Sequence, residues 1–324
     1  MANFTGVAVS ILISLTAFPL VELVTTDSSL SAPLPLMLIG FGLLLLIALT
    51  LKFVLPQKCV EEQGKDAVEQ RGFVYYTCCL FMWACTSDLC LQIRNHELFG
   101  FRKNTKYFEH GEAYLVTPLG IFAQFWNGII NYILYVIIIY QIDNKKDSRY
   151  SCLYWSGGIL TSQFVVLVGA FTGSYSNKLE YSVWLNAVFV FLPLWILQHC
   201  WVKPRPVAKN FTRENSSFPV LDLFLCTGLV LASVFGLIRG LGALGSQTPL
   251  IKYYVEAYEP YMLESSKYGA VWPMYVAIYG IPFQLCAIYG LLHPGCQWML
   301  NCSVVYAAGM LQVNVWFLIT KLAC

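Results

Sequence analysis

Nine runs of mainly apolar residues, each long enough to cross hydrocarbon, constrain this chain more than any motif in it. A transmembrane α-helix needs about 20 such residues. The runs fall at 6–24, 34–55, 73–93, 115–140, 152–172, 183–202, 220–241, 269–292 and 299–319. Inside a bilayer each backbone N–H and C=O must find its partner within the segment, so helix is the expected conformation of every run. The apolar–polar alternation of a membrane β-barrel is absent. With 57% hydrophobic and 12% charged residues, the chain has too much apolar surface for one soluble core, where about a quarter of residues are charged. The expected fold class is all-α and polytopic, with about nine transmembrane helices.

Prolines 19, 118, 193, 273 and 282 lie within or at the ends of these runs. Neighbouring helices can satisfy the carbonyls that they free, so kinks are expected there. The longest polar connections, 56–72, 94–111, 203–219 and 242–268, are too short for a soluble domain, which leaves function to the membrane or its surfaces. The first run lacks a basic leader and an A-x-A cleavage site, and it reads as a retained helix. Of the twenty Lys and Arg, eleven fall on the N-terminal side of an alternating chain and nine on the other. That margin places the N terminus in the cytosol. The sequons at Asn210 and Asn215 then face the cytosol, unless the orientation is inverted.

Gly111-Glu112-Ala113-Tyr114-Leu115 recurs loosely as Tyr258-Glu259-Pro260-Tyr261-Met262. Each copy follows a polar loop and precedes a long apolar run, so one helical unit is written twice. A repeated bundle has a cleft between its units, where membrane transport proteins place their sites. Glu112 and Glu259 at helix starts also have an ordinary structural reading, because the helix dipole stabilises a carboxylate there.

Polar residues inside the runs are the candidate site. Gln124, Asn127 and Asn131 share one helical face, which Tyr135 continues. Asp88 lies deep in the third run, where a charge is costly and must be neutralised, paired or turned to a wet cavity. Arg239 is its one cationic counterpart at comparable depth. Gln163, Asn186, Gln284, Gln312 and Asn314 add further polar positions. Asn and Gln in membrane helices more often join helices than bind ligands; three on one face together with Asp88 suit a cavity wall. Trp126, Tyr132, Trp272, Tyr275, Tyr279 and Tyr289 suit either a flat apolar ligand or ordinary packing.

Several classes are excluded or unsupported. A net charge of +2 gives no reason to expect nucleic acid. There is no Walker A, G-x-S-x-G or H-E-x-x-H string, and none of the four histidines forms a ligand-spaced pair. The twelve cysteines contain no C-x-x-C pair and lie mostly in apolar runs, as buried thiols do; Cys296 and Cys302 could pair across a short turn, though nothing in the sequence requires it. No cofactor or metal is expected.

Tyr107-Phe108-Glu109-His110-Gly111-Glu112-Ala113-Tyr114-Leu115, followed by Trp126-Asn127-Gly128-Ile129-Ile130-Asn131-Tyr132, resembles the transmembrane six superfamily. So do Ile238-Arg239-Gly240-Leu241, Tyr258-Glu259-Pro260-Tyr261 and Pro294-Gly295-Cys296-Gln297-Trp298. The resemblance implies an N-terminal helix pair (1–60) and two EXPERA bundles (69–203 and 217–324), related to the emopamil-binding sterol isomerase and the sigma-2 receptor. It implies residence in the endoplasmic reticulum or the nearby intermediate compartment, with a lysosomal membrane as the alternative, and a link to lipid metabolism and lipoprotein secretion.

Two departures matter. The family's Trp-Asp-Gly, with His four residues after the Asp, is Asn127 and Asn131 here, and Asn is no general acid or base. Asp88 matches the family's third-helix aspartate. Beyond Gly309 the family's polar stretch and last helix are replaced by Val313-Asn314-Val315-Trp316 and an end at Cys324, so the second bundle is expected to be shortened to three helices.

The expected function is therefore non-enzymatic handling of membrane lipid or sterol. Asp88, Glu112, Gln124, Trp126, Asn127 and Asn131 are the first bundle's ligand-binding residues, and Arg239 and Glu259 those of the second. The alternatives are a sterol double-bond isomerase and a membrane scaffold with secretory-pathway protein partners. Small residues such as Gly157-Gly158 leave a homo-oligomer open.

Overall fold

The computed structural model describes residues 3–27, 29–55, 59–60, 68–69, 72–202, 220–264, 267–293 and 295–323. The sequons at Asn210 and Asn215 lie outside these residues. Among the described residues nine helical segments are long and apolar enough to cross a membrane, and the fold is all-α. The only strands among them are the two-residue pair Cys59–Val60 and Val68–Glu69.

The helices are α1 (Thr5–Leu15), α2 (Ala17–Thr26), α3 (Pro33–Val54), α4 (Phe73–Asn95), the short α5 (Lys106–His110), α6 (Pro118–Trp126) and α7 (Tyr132–Asp143). Then follow α8 (Arg149–Thr172), α9 (Asn186–Val202), α10 (Val220–Ala243), α11 (Pro249–Tyr258), α12 (Tyr268–Tyr275), α13 (Ile281–Leu292) and α14 (Trp298–Ala323). Pairs α1–α2, α6–α7 and α12–α13 each make one span.

Their interruptions have local causes. The first span breaks at Thr16, three residues before Pro19, whose ring crowds the carbonyl four residues back and cannot donate to it. Thr16 turns its hydroxyl to the Ile13 carbonyl at 2.6 Å and accepts the indole N–H of Trp83 at 3.1 Å. The fourth span starts at Pro118 rather than at Leu115, because Ala113–Val116 forms a 3-10 turn. The Thr117 hydroxyl accepts the Gly120 N–H at 3.1 Å, and proline fills the first helical position, where a missing N–H costs nothing.

Both α6–α7 and α12–α13 contain a π-turn, Asn127–Asn131 and Val276–Gly280. The second is followed by Pro282, which cannot donate to Ile278. In the first, the Asn131 amide donates back to Asn127 at 2.9 Å. Such widened turns re-aim side chains and occur often at functional sites.

α4 is the central helix: 72% of its membrane window is buried, against 6% for α10. It is enclosed by α1, α2, α3, α6 and α7, and Phe81 stacks at its centre among Tyr135, Trp155 and Phe189. Trp155 donates to the Tyr135 hydroxyl at 2.6 Å, which satisfies a polar hydrogen that the apolar core would otherwise strand. The two halves of the chain meet along α8 and α14. A Cβ on Gly157 would lie 2.3 Å from the Val305 carbonyl oxygen, and one on Gly309 would lie 2.2 Å from the Thr161 hydroxyl oxygen. The close approach of these two helices therefore requires hydrogen at both positions.

Cys296 and Cys302 are not joined in a disulfide.

Candidate functional site

An open cavity of about 170 Å³ lies where α2, α3, α4, α6, α8, α9 and α14 converge. One wall is apolar and comes from the N-terminal helices: Leu20, Val21 and Val24 of α2, and Leu36, Ile39 and Leu43 of α3. The opposite wall is polar and is built by α4 and α6. Gly128 sets the spacing between them, since a Cβ there would lie 2.8 Å from the Leu89 side chain. At that approach the Asn127 amide donates to the Asp88 carboxylate at 2.6 Å, and Asn131 donates to the Asn127 carbonyl at 2.9 Å. Each Asn spends its carbonyl or its N–H on the next member, so a three-residue relay ends on the carboxylate.

Gln124 sits one turn before Asn127 and is 4% exposed. Its carbonyl accepts from Gln92. Its amide nitrogen is buried near Asp88 and makes no well-formed hydrogen bond among the described residues. Gln163 of α8 and Gln312 of α14 also line the cavity, and the Gln163 carbonyl oxygen is buried and unpartnered. A buried, unpartnered amide group costs about 1–3 kcal/mol unless something enters to meet it.

Glu112 also lines the cavity. It does not cap the following turn, as a dipole-stabilised carboxylate would. Instead its oxygens accept from the Tyr107 hydroxyl at 2.6 Å, from the Tyr114 hydroxyl and from the Asn186 amide. Burial pushes the Glu112 carboxyl above its ordinary value of 4.5, and these three donors pull it back down. The Tyr107 and Tyr114 phenols are raised by burial and by the Glu112 charge beside them.

The second copy of the motif is chemically different. Arg239 donates through Nε to Glu259 at 2.9 Å and through an end nitrogen to the Tyr261 hydroxyl at 3.0 Å. This ion pair is nearly buried and does not line the cavity. Arg239 is thus the partner of Glu259, not the counterpart of Asp88, because the chain returns Glu259 beside α10.

Asp88, Glu112, Gln124, Asn127 and Asn131 accordingly face one space, to which α2, α3 and α14 also contribute, so the cavity is not closed by the first unit alone. Trp126 does not line the cavity; it packs part-buried against the apolar cluster that contains Trp272 and Trp316. Gln92, Tyr107 and Tyr114 join the site beyond the residues expected from the sequence. A signal for the two tyrosines was present: Tyr-x4-Glu-x-Tyr occurs at Tyr107–Tyr114 and again at Tyr254–Tyr261. Among the described residues no group of His, Cys, Asp and Glu is placed to hold a metal ion.

A family model described as transmembrane 6 superfamily member 2-like, transmembrane domain, matches residues 16–211. That segment contains every cavity-lining residue except Gln312 and Trp316. Transmembrane 6 superfamily member 2 of Homo sapiens is 30% identical over 249 residues, covering 74% of this chain and 66% of that protein. The Mus musculus protein of the same name is 28% identical, covering 74% and 65%, and the Rattus norvegicus protein is 30% identical, covering 64% and 57%. The chain therefore spans just under two-thirds of the length of the first two relatives. No solved structure matches it.

Proposed function

We propose that this chain, which belongs to the transmembrane 6 superfamily member 2-like family, is a multi-pass protein of the endoplasmic reticulum membrane that holds a lipid or sterol within the bilayer and thereby affects lipid homeostasis and lipoprotein secretion. The observation that carries this reading is the cavity itself. It pairs an apolar wall from α2 and α3 with a polar wall ending on Asp88, at membrane depth. Pockets for amphiphiles combine these features: broad apolar lining and a few convergent polar groups. A carboxylate maintained in a membrane interior costs a few kcal/mol and is by default functional.

The test is to purify the full chain in mild detergent and identify the lipids that co-purify by mass spectrometry, beside an Asp88→Ala, Asn127→Leu variant. A sterol or neutral lipid enriched in the parent and lost in the variant supports the reading. A bulk-like lipid profile in both sinks it and favours a scaffold with protein partners.

A second reading, a sterol double-bond isomerase, draws on the placement of Asp88 and Glu112 on one cavity. Glu112 is occupied by three donors, and Asn127 and Asn131 do not exchange protons at neutral pH. Turnover of a sterol by the purified chain, above an empty-membrane control, is the result that would revive it.

A further inference from the structure

The polar wall specifies more than an amphiphile. Asp88 accepts a hydrogen bond from Asn127. The Gln124 amide nitrogen, buried beside it, is a donor without a partner. Among the described residues no Lys, Arg or His lines the cavity. A head group that meets both must donate one hydrogen bond and accept another at the same atom, which an alcohol does. An ammonium has donors only and leaves Gln124 unmet. A fatty-acid carboxylate or a phosphate brings negative charge to Asp88 with no cation to offset it, a repulsive mismatch.

Access fits a ligand that arrives already in the membrane. α2 packs on α4, and α3 on α4 and the turn Tyr181–Leu185; α2 and α3 make little contact with each other. Leu20 and Val21 of α2 and Ile39 and Leu43 of α3, which line the cavity, are only part-buried. The end of α2 is tied instead to the end of α4 and the segment after it: Arg94 pairs with Glu22, Asn104 donates to Thr25 at 2.8 Å and Lys106 to the Thr26 carbonyl.

We infer that the cavity takes an uncharged lipid alcohol sideways from the bilayer, with its hydroxyl donating to Asp88 and accepting from Gln124. The inference rests on the lipid-holding reading above and narrows it to one head-group chemistry, which a sterol and a diacylglycerol share.

The test uses the full chain in nanodiscs and measures saturable binding of four probes: cholesterol, dioleoylglycerol, sphingosine and oleate. Cholesterol or dioleoylglycerol is expected to bind at least about tenfold more tightly than sphingosine or oleate, and the stronger of the two identifies the source of the hydroxyl. Gln124→Leu and Asp88→Leu, each checked as monodisperse, are expected to weaken that binding about tenfold, the scale of one lost hydrogen bond. Oleate or sphingosine binding as tightly as the alcohols overturns the alcohol assignment and leaves lipid holding intact. Sphingosine binding that Gln124→Leu leaves unchanged points to an ammonium instead and also overturns it. Failure of all four probes to bind the parent overturns the lipid-holding reading as well. If a variant does not fold, the parent's ranking of the four probes still decides.

Discussion

Glu112 and Glu259 occupy the same place in the two copies of the repeat and are stabilised by different means. Each follows a short helix, precedes a 3-10 turn and stands two residues before a tyrosine. Glu112 accepts from two tyrosines and an asparagine and meets no cation among the described residues. Glu259 meets Arg239. The second copy is thus closed by an ion pair, while the first leaves acidic and amide groups facing open space.

The ion pair predicts a non-additive pair of substitutions. Glu259→Leu leaves the Arg239 charge nearly buried without its carboxylate and is expected to destabilise the protein by about 3 kcal/mol. Arg239→Leu together with Glu259→Leu removes both charges and is expected to recover most of that loss. Thermal unfolding in detergent checks this. A double variant no more stable than Glu259→Leu would show that the pair does not act as a unit.

The raised Glu112 carboxyl predicts a pH dependence of definite sign. Burial lifts its folded value above 4.5, so the folded chain keeps a proton that the unfolded chain has lost. Folding then takes up a proton in that window, and stability falls as pH rises from 4.5 through the folded value. Melting temperature followed upward from pH 4.5 should decline less in Glu112→Gln than in the parent. Parallel curves would mean that Glu112 does not titrate differently on folding.

The relay predicts an order of severity. Asn127→Leu removes the donor that Asp88 has and strands a carboxylate, at an expected cost of about 2–3 kcal/mol. Asn131→Leu leaves the Asp88–Asn127 bond in place and should cost about 1 kcal/mol. Unfolding by increasing detergent denaturant ranks the two, and the reverse order would contradict the direction of the relay.

The seam between the halves predicts a contrast between glycines. Gly157→Val places atoms where the Val305 backbone lies and should destabilise by about 1–3 kcal/mol through overpacking. Gly228 of α10 has nothing within 4 Å of its Cβ position, so Gly228→Ala should be neutral or raise stability by up to about 1 kcal/mol through helix propensity. Equal melting temperatures for Gly157→Val and the parent would show that the seam can open without cost.

The nine spans, their helical state and the paired glutamates were legible in the sequence. Each follows from a local rule: hydrocarbon thickness sets the length of an apolar run, an unsolvated backbone must bond to itself, and a repeated string repeats its local fold. The common face of Gln124, Asn127 and Asn131 was legible for the same reason, since helical periodicity lies along the chain. What faces that side was decided only by packing. Arg239 and Asp88 matched in depth, yet Arg239 turns to Glu259, because depth along the membrane does not say which helices are neighbours. Gln312 and Trp316 reach the cavity across the α8–α14 seam, and α2 and α3 supply its apolar wall. Those contacts depend on the angles at which separate helices cross, and these are set by many small side-chain fits that no single stretch of sequence contains.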